Sequence, residues 1–291
     1  VTSPPPGAPA RRAVLAAGLA AIALDGCSGA KQQGAPPVST TSGVGAEGEP
    51  SSGPRTSSPT RSTGRRPPAT TTGRPAETGR PTRPPTLAQV AGPDLTHGPR
   101  TVRAVALTFH GQGPAHLAQD VLQTCSAAGA RVTVFAVGSW LVTVPALGRQ
   151  LLASGHELGN HTWSHQQMKE LSAAQAVHEA VKGAEALRSV VGTAGWWFRP
   201  SGTRHSTSTI RAAAKAAGYQ RCVSYDVDPE DFLDPGAGAV RDRTLAAVRP
   251  GSIVSLHLGH PGTVAALPEI LAGLSRRGLV PVTLSQLVTP R

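Results

Sequence analysis

Three cysteines in 291 residues, Cys27, Cys125 and Cys222, are too few for a disulfide framework, and their spacing suits no zinc ribbon. Cys125 falls in a predicted helix and Cys222 at a strand start, so both are read as buried free thiols. No GxGxxG or P-loop follows the first predicted strand, which argues against nucleotide binding. Between residue 25 and Pro85 branched apolar residues are almost missing, so that stretch has nothing to pack. Acidic residues are also scarce: the first 100 residues carry 11 Lys/Arg against 5 Asp/Glu and the remainder 17 against 12, for a net charge of +11. The early arginines are scattered among Pro and Thr without interleaved aromatics or a nucleic-acid motif. A nucleic-acid partner is therefore not expected, and anionic envelope polymers or lipid suit the charge better.

What is present divides the chain into three. In residues 1–27, Arg11 and Arg12 precede an apolar run at 13–24 that is too short to span a bilayer. That arrangement reads as an export signal, and the paired arginines resemble a twin-arginine type. Leu24-Asp25-Gly26-Cys27 resembles a bacterial lipoprotein cleavage box, which makes Cys27 the candidate lipidation site and a lipid anchor the expected membrane contact. A simple secretory signal is the alternative. Residues 28–100 read as a disordered Pro/Ser/Thr/Arg-rich linker, and residues 101–291 as one folded domain. The expectation is an extracytoplasmic monomer, membrane-anchored or secreted.

The folded part alternates apolar β-branched runs with helical spacing. Strands are predicted at 102–109, 131–137, 156–160, 196–199, 222–227, 252–258 and 279–283. Helices are predicted at 115–128, 144–153, 172–191, 208–217, 238–248 and 264–276, several ended by glycines such as Gly129, Gly155, Gly218 and Gly278. Strict β/α alternation implies a parallel sheet covered by helices, and the count favours an α/β fold of distorted (β/α)7-type barrel form.

Sites in such folds are built at the carboxyl ends of the strands. His110 follows strand one, His161 and His165 follow strand three, and Arg199 ends strand four. Asp226, Asp228 and Asp231 follow strand five, and His257 ends strand six with His260 just beyond. Scattered surface histidines would show no such bias. His161 and His165, four residues apart, face one metal ion if the segment is helical or tightly turned. His178 is expected at a solvent-exposed helix face and His205 near the groove, while one of Trp196 and Trp197 should be accessible and the other buried.

Taken in order, these segments resemble the NodB-homology polysaccharide deacetylases, metal-dependent hydrolases of non-peptide carbon–nitrogen and ester acetyl bonds in carbohydrate. His161–His165 is similar to the family's metal-binding pair, Phe198-Arg199-Pro200-Ser201-Gly202 to its Arg-Pro motif, Asp228-Pro-Glu-Asp231-Phe232 to its Asp-x-x-Asp-aromatic motif, and Ser255-Leu256-His257 to its Leu-His motif. The resemblance implies a polysaccharide substrate, one divalent metal ion, His257 as general acid oriented by Asp231, and Arg199 shaping the base site. The first motif departs from the pattern. Where the family has Thr-Phe-Asp-Asp-Gly-Pro, with the first Asp the base and the second a ligand, this chain reads Thr108-Phe109-His110-Gly111-Gln112-Gly113-Pro114. His110 is then either the third metal ligand, giving a three-histidine site that favours zinc, or the general base. If His110 binds metal, a carboxylate such as Asp228 is the best available base, or a metal-bound hydroxide needs less help. The alternative is a catalytically degenerate, glycan-binding envelope lipoprotein on the same fold.

Overall fold

The computed structural model describes residues 92–289. The expectations for the signal, for Cys27 and for the linker up to residue 91 lie outside the described residues. In chain order the elements are β1 (Asp94–Leu95), β2 (Ala104–Gly111), α1 (Ala115–Ala127), β3 (Thr133–Ala136), α2 (Gly138–Thr143), α3 (Pro145–Ala153), β4 (Glu157–Asn160), α4 (Ala173–Val191), α5 (Ser208–Ala216) and β5 (Cys222–Val223). A 3₁₀ turn (Asp231–Leu233) follows, then α6 (Ala237–Ala247), β6 (Ile253–His257), α7 (Pro261–Arg276), β7 (Val280–Pro281) and α8 (Leu284–Val288).

All named strand pairs are parallel, and a continuous ladder runs β4-β3-β2-β6, with β7 on the start of β2. β2 is central and buried on both faces, which explains its mostly apolar character before the carboxyl end. Strand alternation then sorts its side chains. Val105, Leu107 and Phe109 join the outer core, which also holds Leu267, Ile270 and Leu274 of α7. Ala106 lies in the inner cluster with Phe135, Ile253 and Trp197. Thr108 and His110 continue that inner face toward the carboxyl end. In β6, Val254 and Leu256 face outward by the same rule, and Ser255 and His257 face in.

The opposite side of the sheet is joined more thinly. The segment expected as a strand at 196–199 pairs only through Phe198, which bridges Asn160 and Cys222. It begins at Gly195 (φ 72°) and ends before Pro200, which has no N–H to donate. The strand expected at 222–227 stops at Val223 and rejoins β6 at Val227 alone. Between them the Asp226 carboxylate accepts the Ile253 N–H (2.8 Å) and the Ser252 hydroxyl (2.9 Å), standing in for a backbone carbonyl. The barrel-like α/β arrangement is therefore present without a continuous ladder around it. The folded body also starts before residue 101: β1 pairs with β5, Leu95 is fully buried, and His97 bridges Ser252. Residues 92–100 are thus part of the domain and not of a linker.

The helices carry their own signals. α4 opens with a capping box formed by Ser172 and Gln175 and closes on Gly192 in the left-handed region. α8 uses Thr283 and Gln286 in the same way. Cys125 and Cys222 are both free and buried. Among the described residues no helix is long and apolar enough to cross a membrane.

Candidate metal and acid–base site

His110 is the last inward-facing residue of β2. Its Cα partner across the ladder is His257 of β6, and the two rings stand 4.3 Å apart between centroids. The His110 Nε2 lies 3.2 Å from the Ser255 hydroxyl, two positions back on the same inner face. The turn that follows is tight: the Gln112 N–H donates to the His110 carbonyl at 3.2 Å, two residues back. Gly113 (φ 112°) then brings this loop against Gly259, where an added Cβ would stand 2.5 Å from the Gly259 Cα. Only glycine allows that approach.

His161 and His165 come from the loop after β4. Its path is strained in a defined way, since Thr162 (φ 69°) and His165 (φ 61°) both occupy the left-handed region that non-glycine residues avoid. Asn160 holds the start, accepting the Thr162 N–H (2.8 Å) and donating to the Ala180 carbonyl of α4 (2.8 Å). Glu179, also on α4 and buried, holds the middle. Its carboxylate accepts the N–H groups of Trp163 (3.0 Å) and Ser164 (2.8 Å), the Ser164 hydroxyl (2.6 Å) and the Gln166 amide (3.3 Å). Sequence reasoning missed this residue.

The fully buried His161 directs Nδ1 at the Arg199 carbonyl (2.8 Å). A carbonyl only accepts, so Nδ1 carries the proton and Nε2 presents a lone pair. That Nε2 is buried and has no hydrogen-bond partner among the described residues. One ring nitrogen each of His110, His161 and His165 lie within 4.8 Å of one another. Burial pushes the proton affinity of His110 and His161 well below the ordinary histidine value, and His165 also below it. Neighbouring imidazoles add to each effect, as does Arg199 for the first two. All three are therefore held neutral, the form that donates to a metal. An orphaned lone pair, three converging neutral imidazoles and a fixed tautomer fit a divalent metal ion.

Beside this cluster stands a second device. His257 Nδ1 meets Asp231 Oδ1 at 2.7 Å, and Asp231 Oδ2 accepts the His257 backbone N–H (2.7 Å) and the Thr263 hydroxyl (2.6 Å). Asp231 is buried, and its 3₁₀ turn is bracketed by Glu230 (φ 56°) and Asp234 (φ 50°) in the left-handed region. The half-exposed Phe232 ring packs edge-on to His257 at 5.4 Å. His260 repeats the pairing one step outward, its Nδ1 2.8 Å from Asp234 Oδ1.

Arg199 lies beneath the cluster, buried, with its guanidinium 4.2 Å over the Phe135 ring and Nη2 donating to the Ser224 carbonyl at 3.0 Å. The close packing there needs Gly159, since a Cβ on it would stand 2.9 Å from the Phe135 ring. Burial lowers the Arg199 pKa to about 9, partly offset by Tyr225 and Asp228. Its Nε and Nη1 have no partner among the described residues. Asp228 stands on this side, accepting the Glu230 N–H at 3.0 Å and hydrogen-bonded to Tyr225, and is not in the histidine cluster. Asp226 is taken up by the sheet contacts above and by Arg100 (2.8 Å).

The remaining expectations divide. Trp197 is buried and Trp196 partly exposed, and His178 is exposed, as read from the sequence. His205 is instead an exposed residue 4.0 Å from Asp94, outside the cluster.

The sequence profile described as polysaccharide deacetylase matches residues 97–222. A chitooligosaccharide deacetylase of Bradyrhizobium sp. (strain ANU 289) is 31% identical over 60% of this chain and 86% of its own length. A peptidoglycan-N-acetylglucosamine deacetylase of Bacillus cereus is 32% identical over 65% of this chain and 90% of its own. Among solved structures, a carbohydrate esterase family 4 pseudoenzyme from Bacillus anthracis superposes with a TM-score of 0.63, covering 68% of this chain and 69% of that one. At 21% identity that likeness carries the fold alone.

Proposed function

Because this chain belongs to the NodB-type polysaccharide deacetylase family, we propose that it hydrolyses acetyl groups from an N-acetylated glycan, with a divalent metal ion held by His110, His161 and His165. The observation that carries the reading is the convergence of three neutral imidazole nitrogens within 4.8 Å beside the His257–Asp231 pair. All-nitrogen donors without a carboxylate suit zinc. When bound, such an ion polarises an acetyl carbonyl and acidifies water.

The chain's own residues supply the rest. Asp231 accepts the Nδ1 proton of His257 and so keeps Nε2 as the working nitrogen. His257 Nε2 takes the proton of the attacking water and returns it to the departing nitrogen of the sugar, which conserves that proton. One residue takes both steps because His110 occupies the strand end where the family pattern has its base, and Asp228 lies apart from the cluster. Arg199, buried and joined to His161 through its carbonyl, contributes positive charge on this side of the site. Phe232, half-exposed beside His257, offers an aromatic face to a sugar ring.

The curated relatives act on chitooligosaccharide and peptidoglycan, which supports a glucosamine-containing glycan of the cell envelope as substrate. An extracytoplasmic location follows from that reading, with Cys27 as lipid anchor and the Pro-rich segment as tether. The test is acetate release from N-acetylglucosamine oligomers by the purified chain loaded with zinc or cobalt. Turnover supports the proposal. Metal binding without turnover by either ion would overturn it in favour of a glycan-binding protein.

A further inference from the structure

Glu179 is a fully buried charge that the proposed chemistry does not use. It sits in the middle of α4, on the face that also buries Ala176, Ala180, Gly183 and Leu187. A carboxylate in such a position is expected to be paired with a cation or neutralised. No cation is there: among the described residues it forms no ion pair, and its four donors are two backbone N–H groups, a hydroxyl and an amide, all neutral. Lys182, one turn further on, lies over the Trp163 ring at 4.1 Å instead. The two backbone donors belong to Trp163 and Ser164, the residues between His161 and His165. Ser164 is the residue next to His165, so its N–H and hydroxyl bring the carboxylate to within one residue of the cluster.

The first motif of this chain brings no carboxylate to the site, so three neutral imidazoles and Arg199 leave a bound cation short of negative charge. We propose that Glu179 is a positioning residue that sets metal affinity: it clamps the His161–His165 loop in its left-handed path and supplies the negative charge that the ligands lack. This rests on the three-histidine reading of the site. The clamp and the charge act together, because the groups that hold the loop donate to the same carboxylate that faces the site.

The experiment is a zinc titration of the purified chain against a chromophoric chelator, with the cobalt absorption spectrum and metal-free thermal unfolding recorded alongside. Glu179→Gln should weaken zinc by about ten- to a hundredfold and alter the cobalt d–d bands. Ser164→Ala, which removes one donor and keeps the charge, should stay within about threefold of the parent, judged against that scale. Glu179→Asp should fall between the parent and the Gln variant, and carries the test if the latter does not fold. Zinc binding and a cobalt spectrum unchanged in folded Glu179→Gln would overturn the proposal. So would equal losses in Glu179→Gln and Ser164→Ala. A parent chain that binds no zinc would instead sink the three-histidine reading, and this inference with it.

Discussion

The end of the sheet away from the site makes the sharpest stability prediction. His156, just before β4, is buried and its Nδ1 accepts the Val132 N–H at 3.2 Å. Burial, aided by the Arg131 charge, pushes its pKa from 6.5 to about 4. The folded value lies below the unfolded one, so the unfolded chain binds the proton first as pH falls. The stability tied to neutral His156 is therefore complete above about pH 6.5, declines between there and pH 4, and is gone below. At pH 4.5 the loss is roughly 2 to 3 kcal/mol relative to pH 7.5. The perturbation is His156→Asn, whose side-chain oxygen can replace Nδ1 as acceptor and does not titrate. Urea unfolding at pH 7.5 and 4.5 on metal-free protein gives both differences. The buried site histidines destabilise both proteins alike in acid and cancel in the comparison. The parent should lose roughly 2 to 3 kcal/mol more than the variant over that interval. Parallel losses would refute the assignment of a neutral buried imidazole at this position.

Three further outcomes concern the site. Asp231→Asn should leave the fold intact and cut turnover on the order of a hundredfold or more, read as acetate release at saturating substrate, because His257 loses the charge that supports its proton transfer. Gly113→Ala places a Cβ 2.5 Å from the Gly259 Cα at a φ of 112°, which forces apart the loops bearing His110 and His257. A turnover loss on the order of a hundredfold is expected, and activity equal to the parent would show that the loops yield freely. Zinc at about one hundred times its dissociation constant should stabilise the chain by about 2.7 kcal/mol, seen as a raised unfolding midpoint, and His161→Ala should abolish the shift.

The site was largely legible because alternation is a strong rule in buried parallel strands. Once 102–109 and 252–258 are strands, His110 and His257 must fall at their carboxyl ends, and the ladder pairs them. The thinner side of the sheet was less legible. Residues 196–199 and 222–227 have strand composition, yet Gly195, Pro200 and the Asp226 side chain divert their backbone bonds, and composition does not report such diversions. The single helix expected at 144–153 is preceded by α2, broken from α3 at Val144. Glu179 left a signal that could have been used: it is an acidic residue on the small-apolar stripe of α4, where an unpaired charge needs a local reason.

The turn after β2 bears on how this enzyme family can change. The extra residue between Phe109 and Pro114 is absorbed entirely within Gly111–Gln112–Gly113, and the pairing of β2 with β3 and β6 stays in register up to Gly111 and His110 respectively. Chemistry at the strand end is thus decoupled from the sheet that presents it. An insertion and two lost carboxylates alter what the site can do to a substrate while folding sees only a longer loop. The groups presented at a strand end can therefore change while the register of the sheet that presents them does not.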